Sequence, residues 1–137
     1  PATYQGRFTP EAQKILDLVN EERLKNGASP LKLNRALCFM ATDKAVDMCE
    51  KKYFDHTSPT YGSPFQMMTS YKIKYSAAGE NIAAGFWNCE SVMAGWMNSP
   101  GHRANILNKA YTELGVGYIT GGEYGTYWVQ EFIRPAN

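Results

Sequence analysis

Thr112-Glu113-Leu114-Gly115-Val116-Gly117-Tyr118-Ile119-Thr120, then Gly121-Gly122-Glu123-Tyr124-Gly125, then Thr126-Tyr127-Trp128-Val129-Gln130-Glu131-Phe132-Ile133: two runs rich in β-branched and aromatic residues flank a glycine-rich pentapeptide. That pattern predicts antiparallel strands over 112–120 and 126–133 joined as a hairpin. Trp128 and Phe132 alternate with Val129 and Ile133, so both faces of the hairpin are apolar and helices are expected on both sides of it. Trp128, set among apolar neighbours, is expected in the core.

Upstream of the hairpin the period changes from two to about three and a half. Thr9-Pro10-Glu11 offers an N-cap, a proline at the first helical position and an early acid, and Ile15, Leu18 and Val19 follow at helical spacing. A helix over about 10–26 ends at Asn26-Gly27. Asn34 caps a second, in which Leu37, Ala41, Ala45 and Met48 recur until about Lys52. Ser63-Pro64 opens a short helix, Asn88 one that carries Val92 and Trp96, and Ser99-Pro100 another. Trp96 is also expected in the core. Helices are therefore expected to dominate the first hundred residues. Helices followed by a terminal hairpin predict an α+β chain, one domain over 1–137, with helices packed on both faces of a small antiparallel sheet.

Bulk properties exclude several function classes. Fourteen basic and thirteen acidic residues leave a formal charge of +1, and no Lys/Arg cluster is dense enough to neutralise many phosphates, so nucleic acid is not an expected partner. No apolar run approaches the ~20 residues needed to cross a bilayer, so no membrane span is expected. The chain opens at Pro1 without a charged-then-apolar leader, and any secretion signal is expected to have been removed or to lie outside this sequence. Cys38 and Cys49 fall in one predicted helix, eleven residues and thus about 16 Å apart, too far for the ~7 Å limit of a disulfide. The three cysteines are expected as three buried thiols, or as one disulfide using Cys89 plus a spare.

Chemistry concentrates in loops. His56 lies in Tyr53-Phe54-Asp55-His56-Thr57-Ser58-Pro59 after a helix end, and His102 in Ser99-Pro100-Gly101-His102-Arg103 at a helix start; these are the only two histidines. Glu80 stands between glycine and amide in Gly79-Glu80-Asn81-Ile82-Ala83. Each has an ordinary alternative reading: a hydrogen-bonded surface imidazole, an ion-pair partner, and serines that serve caps and turns. Six segments together carry more. They are 16–23 (Leu16 to Arg23), 45–56 (Ala45 to His56), 79–83, 96–107 (Trp96 to Leu107), 113–117 and 127–132. In this order they resemble the CAP superfamily (cysteine-rich secretory, antigen five, pathogenesis-related; SCP-like extracellular domains), in particular its bacterial branch.

The resemblance implies a three-layer α-β-α sandwich, a secreted protein, and an open cleft where two histidines and one or two glutamates converge. His56, Glu80 and His102 match three of those positions. A second glutamate, three residues after the tryptophan in many relatives, falls here on Ser99; Glu113 or Glu131 could substitute. The expected cleft residues are His56, Glu80, Asn81, Ser99 and His102. Two imidazoles and a carboxylate form a sufficient first shell for Zn2+ or another divalent ion, so His56, His102 and Glu80 are the expected metal ligands, with Glu80 either binding the ion or orienting an imidazole.

Three functions compete. The first is a binding module whose cleft holds a small-molecule, lipid or protein ligand. The second is a metal-dependent hydrolase or protease, for which the helical histidine–glutamate spacing of metalloproteases is missing. The third is a structural or adhesive surface protein. The absence of a full catalytic set favours the first.

Overall fold

The computed structural model describes residues 8–137, so residues 1–7 of the expected 1–137 domain lie outside it. Helix α1 spans Pro10–Lys25, with the Thr9 side chain accepting from the Ala12 amide. Strand β1 is the dipeptide Lys32–Leu33, α2 runs Arg35–Lys51 from an Asn34 cap, and α3 covers Pro64–Ser70 behind a Ser63–Gln66 capping box. Then come β2 (Tyr75–Ala84), α4 (Cys89–Met97), α5 (Pro100–Leu107), β3 (Glu113–Gly121) and β4 (Gly125–Pro135). The helices and the hairpin stand where the periodicity puts them. Gly121, Gly122 and Gly125 turn the hairpin with positive φ, a conformation that side chains disfavour.

One expectation needs correction, and one element went unread. The sheet is mixed rather than antiparallel: in the order β1-β3-β4-β2, β1 runs parallel to β3 and the other pairs are antiparallel. The first hundred residues also contain a ten-residue strand, β2, paired along its length with β4. Its sequence, Tyr75-Ser76-Ala77-Ala78-Gly79-Glu80-Asn81-Ile82-Ala83-Ala84, is poor in β-formers and does not alternate. Pairing with β4 and burial between layers override that weak local preference.

The sandwich is three-layered. On one face, α2 packs Leu37, Met40, Ala41, Ala45 and Met48 against Ile82, Tyr127, Val129 and Ile133. On the other, Ile15 and Val19 of α1, Val92, Met93 and Trp96 of α4 and Ile106 of α5 meet Leu114, Val116, Trp128 and Phe132. Trp96 and Trp128 are core residues, 2% and 1% exposed. The backbone of α2 lies directly on β3: a Cβ at Gly115 would run into Leu37, and one at Gly117 into Ala41. All three cysteines are free thiols, and each is half-buried rather than buried.

Candidate functional site

Strand β2 is an edge of the sheet, and its two faces serve different layers. Glu80 and Ile82 point to the α2 side, whereas Asn81 and Ala83 point toward α4 and α5. A loop from one layer and a helix from the other can therefore meet over this edge, and they bring the two histidines with them.

His56 arrives on the loop after α2. Lys44 and Asp47 grip that loop from one turn apart on α2. Lys44 Nζ donates to the carbonyls of Asp55 (2.8 Å) and His56 (2.9 Å). Asp47 accepts from Ser58 Oγ at 2.6 Å, from Thr60 Oγ1 at 2.7 Å and from the Tyr53 hydroxyl. Burial alone would raise the Asp47 carboxyl, but the three hydroxyl donors, together with Lys44, hold it below the usual carboxylate range. Burial lowers the Lys44 ammonium, while Glu80, Glu131, Asp47 and Asp55 oppose that shift.

The His56 ring points back to the sheet, with Nδ1 2.8 Å from Glu80 Oε1. Its side chain is 51% exposed and that of Glu80 only 1%, so a wet imidazole rests on a dry carboxylate. The hydrogen bond to Glu80 raises the His56 pKa against the opposing effect of burial. His102 comes from the first turn of α5, its Nδ1 2.9 Å from Ser99 Oγ. Burial, and then the charge of His56, lower its pKa. The two rings thus feel one another electrostatically while holding different partners.

Asn81 plays a part other than the one expected, and Ser99 lines the cleft as expected without capping α5. Asn81 is fully buried; its Nδ2 donates to His102 O (3.1 Å) and Gln130 Oε1 (3.0 Å), and it accepts from Asn105 Nδ2 (2.9 Å). It ties β2 to α5 and sits behind the cleft rather than lining it. Ser99 precedes α5 but makes no side-chain cap bond; its hydroxyl serves His102 instead. Ser58 does serve a turn, accepting from the Thr60 and Tyr61 amides.

Between the His56 loop and α4–α5 lies a cleft of about 470 Å³ whose lining includes His56, Ser99 and His102 with Phe54, Ile82, Phe86 and Trp96. Phe54 of this lining is exposed and packs against Tyr124 with ring centroids 6.1 Å apart, and the exposed Trp87 ring lies over Gly125. Nothing in the local sequence period marked these aromatics. What groups them is the approach of the hairpin tip to the His56 loop.

Among the described residues no three His, Cys, Asp or Glu side chains converge where one ion could be held. Glu80 holds His56 Nδ1 through Oε1, the imidazole-orienting role open to it, and its Oε2 is buried without a hydrogen-bond partner among the described residues. Of the expected stand-ins, Glu113 accepts from Asn34 Nδ2 (2.7 Å) on the β1 side of the sheet. Glu131 lies beside Glu80, its cross-strand partner, but is sealed from solvent.

Comparison with known proteins comes to the same architecture. The profile of the cysteine-rich secretory protein family, CAP, matches residues 16–132. The chain is 52% identical over 121 residues to the uncharacterised protein YkwD of Bacillus subtilis, covering 88% of this chain and 46% of that one. It is 36% identical over 126 residues to the uncharacterised membrane protein YlbC of the same organism, covering 92% and 35%. The chain therefore spans less than half the length of these curated relatives. Among solved structures, an extracellular SCP-domain protein from Bacillus anthracis superposes with a TM-score of 0.82 at 35% identity, covering 94% of this chain and 45% of that one. An outer surface protein from Borrelia burgdorferi gives 0.83 at 24% identity, covering 95% and 97%; at that identity the likeness speaks for the fold alone.

Proposed function

The chain belongs to the CAP family of cysteine-rich secretory proteins, and from that premise we propose that it is an extracellular binding module whose cleft takes an amphipathic ligand. The observation that carries this reading is the division of the cleft: Phe54, Ile82, Phe86 and Trp96 form an apolar wall, and His56 and His102 present imidazoles beside it. A volume of about 470 Å³ falls in the usual range for small-ligand sites, where apolar surface supplies affinity and a few polar groups fix orientation. Each Nδ1 is engaged within the protein, so Nε2 of each ring is the nitrogen left to meet a polar head. The extracellular setting is supported by the location that the Bacillus anthracis relative's description carries.

Catalysis is a weaker reading. The metal-dependent hydrolase needs an ion that the donor set does not gather. The Ser99–His102 pair is a hydroxyl on an imidazole, but among the described residues no carboxylate hydrogen-bonds to His102 to orient it as a base.

The test uses 1-anilinonaphthalene-8-sulfonate, whose fused rings and anionic head suit the two halves of the cleft. Phe86→Ser and His102→Ala should each weaken its binding about tenfold, which corresponds to ~1.4 kcal/mol. Binding as tight as wild type in both variants would place the dye elsewhere and remove the support for a divided cleft.

A further inference from the structure

We propose that Glu131 is a neutral carboxylic acid that shares one proton with Glu80, and that this buried pair is the positioning element that aims Glu80 Oε1 at His56. The argument begins with register. Glu80, Glu131 and Gly115 are cross-strand neighbours on β2, β4 and β3, so their Cα–Cβ directions lie on one face, the face toward α2. Glu131 is 0% exposed and the Glu80 side chain 1%, and the register sets the two residues directly opposite one another on that buried face.

Three of their four oxygens, Glu80 Oε2 and both of Glu131, are buried and have no hydrogen-bond partner among the described residues. Two ionised carboxylates so placed would have acceptors facing acceptors in a dry interior, a combination proteins do not tolerate without a donor. One proton resolves it. With O–H on Glu131 donating to Glu80 Oε2, the pair carries a single negative charge and Glu80 keeps Oε1 for the His56 Nδ1–H. Two like carboxyls in contact cannot both ionise easily, and the more deeply buried one holds the proton.

The surrounding groups fit that charge count. From α2 come Lys44 and, beyond it, Asp47; from the loop, His56 and Asp55; from β2, Glu80; the β3 neighbour, Gly115, brings no charge. Lys44 is the cation that offsets the pair, but it gives hydrogen bonds to the carbonyls of Asp55 and His56. Burial first, and then the Glu80 carboxylate, push the Glu131 carboxyl well above its usual range. The inference is independent of what the cleft binds.

Infrared difference spectroscopy of the whole protein in D2O at neutral pH tests it. Wild type should show the C=O band of a protonated carboxyl, and Glu131→Gln, which keeps an N–H donor for Glu80, should lose it. A spectrum without the band in wild type, or one that keeps it in Glu131→Gln, overturns the assignment; the first would mean an ion or water between two carboxylates. Denaturation supplies a second measurement. A raised folded pKa means protons bind more tightly to the folded state, so wild-type stability should fall as pH rises above the unfolded value of about 4.3. Glu131→Gln should flatten that slope, and equal slopes would contradict the shared proton. For the positioning role, the NMR pKa of His56 should stay unchanged in Glu131→Gln and move in Glu131→Leu, which removes the donor. A value unmoved by Glu131→Leu would show that Glu80 is aimed by something else.

Discussion

Lys44 and Asp47, one turn apart on α2, hold the His56 loop by opposite charges: the ammonium takes two of its carbonyls, the carboxylate three of its hydroxyls. Neither residue faces the cleft, yet together they decide where the imidazole sits. A functional loop held by buried charge is also a loop that loses its shape when either charge is removed.

Lys44→Met is therefore expected to cost about 3 kcal/mol, the order found when a buried charge partner is lost and carbonyls are left bare. Asp47→Ala should cost a similar amount. Urea denaturation measures the loss, and amide exchange should show residues 53–62 losing protection first. Wild-type exchange in that loop would mean that backbone contacts alone hold it.

Arg23 supports the α1 side of the sandwich. It is 1% exposed, and its guanidinium donates to the carbonyls of Ser29, Ile106, Asn108 and Tyr111 at 2.6–3.2 Å. These join the loop after α1 to the end of α5 and to the segment between α5 and β3. A lysine offers three donors from one point instead of a planar fork, so Arg23→Lys should lower stability by about 2 kcal/mol. Thermal unfolding checks this; a change under about 0.5 kcal/mol would show the fork to be dispensable.

Gly117 is required by the approach of α2 to β3. A methyl there meets the Ala41 backbone, which cannot step aside as a side-chain end can. Gly117→Ala should cost about 3 kcal/mol through overpacking, read as a fall in the urea midpoint. An unchanged midpoint would mean that helix and sheet can separate without loss.

The two imidazoles should titrate on opposite sides of the usual histidine value of about 6.5. His56 is raised by Glu80, and His102 is lowered by burial and by His56. The His56 contribution to stability is fully present below ~6.5 and is lost as pH rises through its higher folded pKa; His102 has the opposite sign, destabilising below ~6.5. Because the His56 side chain is half exposed, solvent screens its share. NMR titration should show Glu80→Gln bringing His56 down. Equal pKa values for the two rings in wild type would contradict the geometry.

The parts of this account that the sequence makes legible are those with strong local signals. Thr9-Pro10, Asn34 and Ser63-Pro64 cap helices as read, and the glycine-rich turn of 121–125 joins two strands. The family resemblance brings His56, Glu80 and His102 to one place, and they do lie there. Strand β2 was hidden because Ala77, Ala78, Gly79 and Asn81 carry no strand preference, and the parallel β1 because two residues have no period. The burial of Lys44, and that of Glu131, which was expected only as a stand-in carboxylate, were hidden for a different reason. On a helix or a strand, a charged residue reads as solvent-facing by default, and only register and packing reveal that these two are buried. Glu131 sits inside the very hairpin that decides the fold, yet its partner lies about fifty residues away.

Native mass spectrometry of the protein after exposure to a cell extract tests the central claim most directly. Wild type should retain a bound amphipathic molecule, and a Phe86→Ser/His102→Ala double variant, folded by circular dichroism, should lose it. A bare wild-type mass, or the same bound mass in the double variant, would contradict a binding cleft built on His56 and His102.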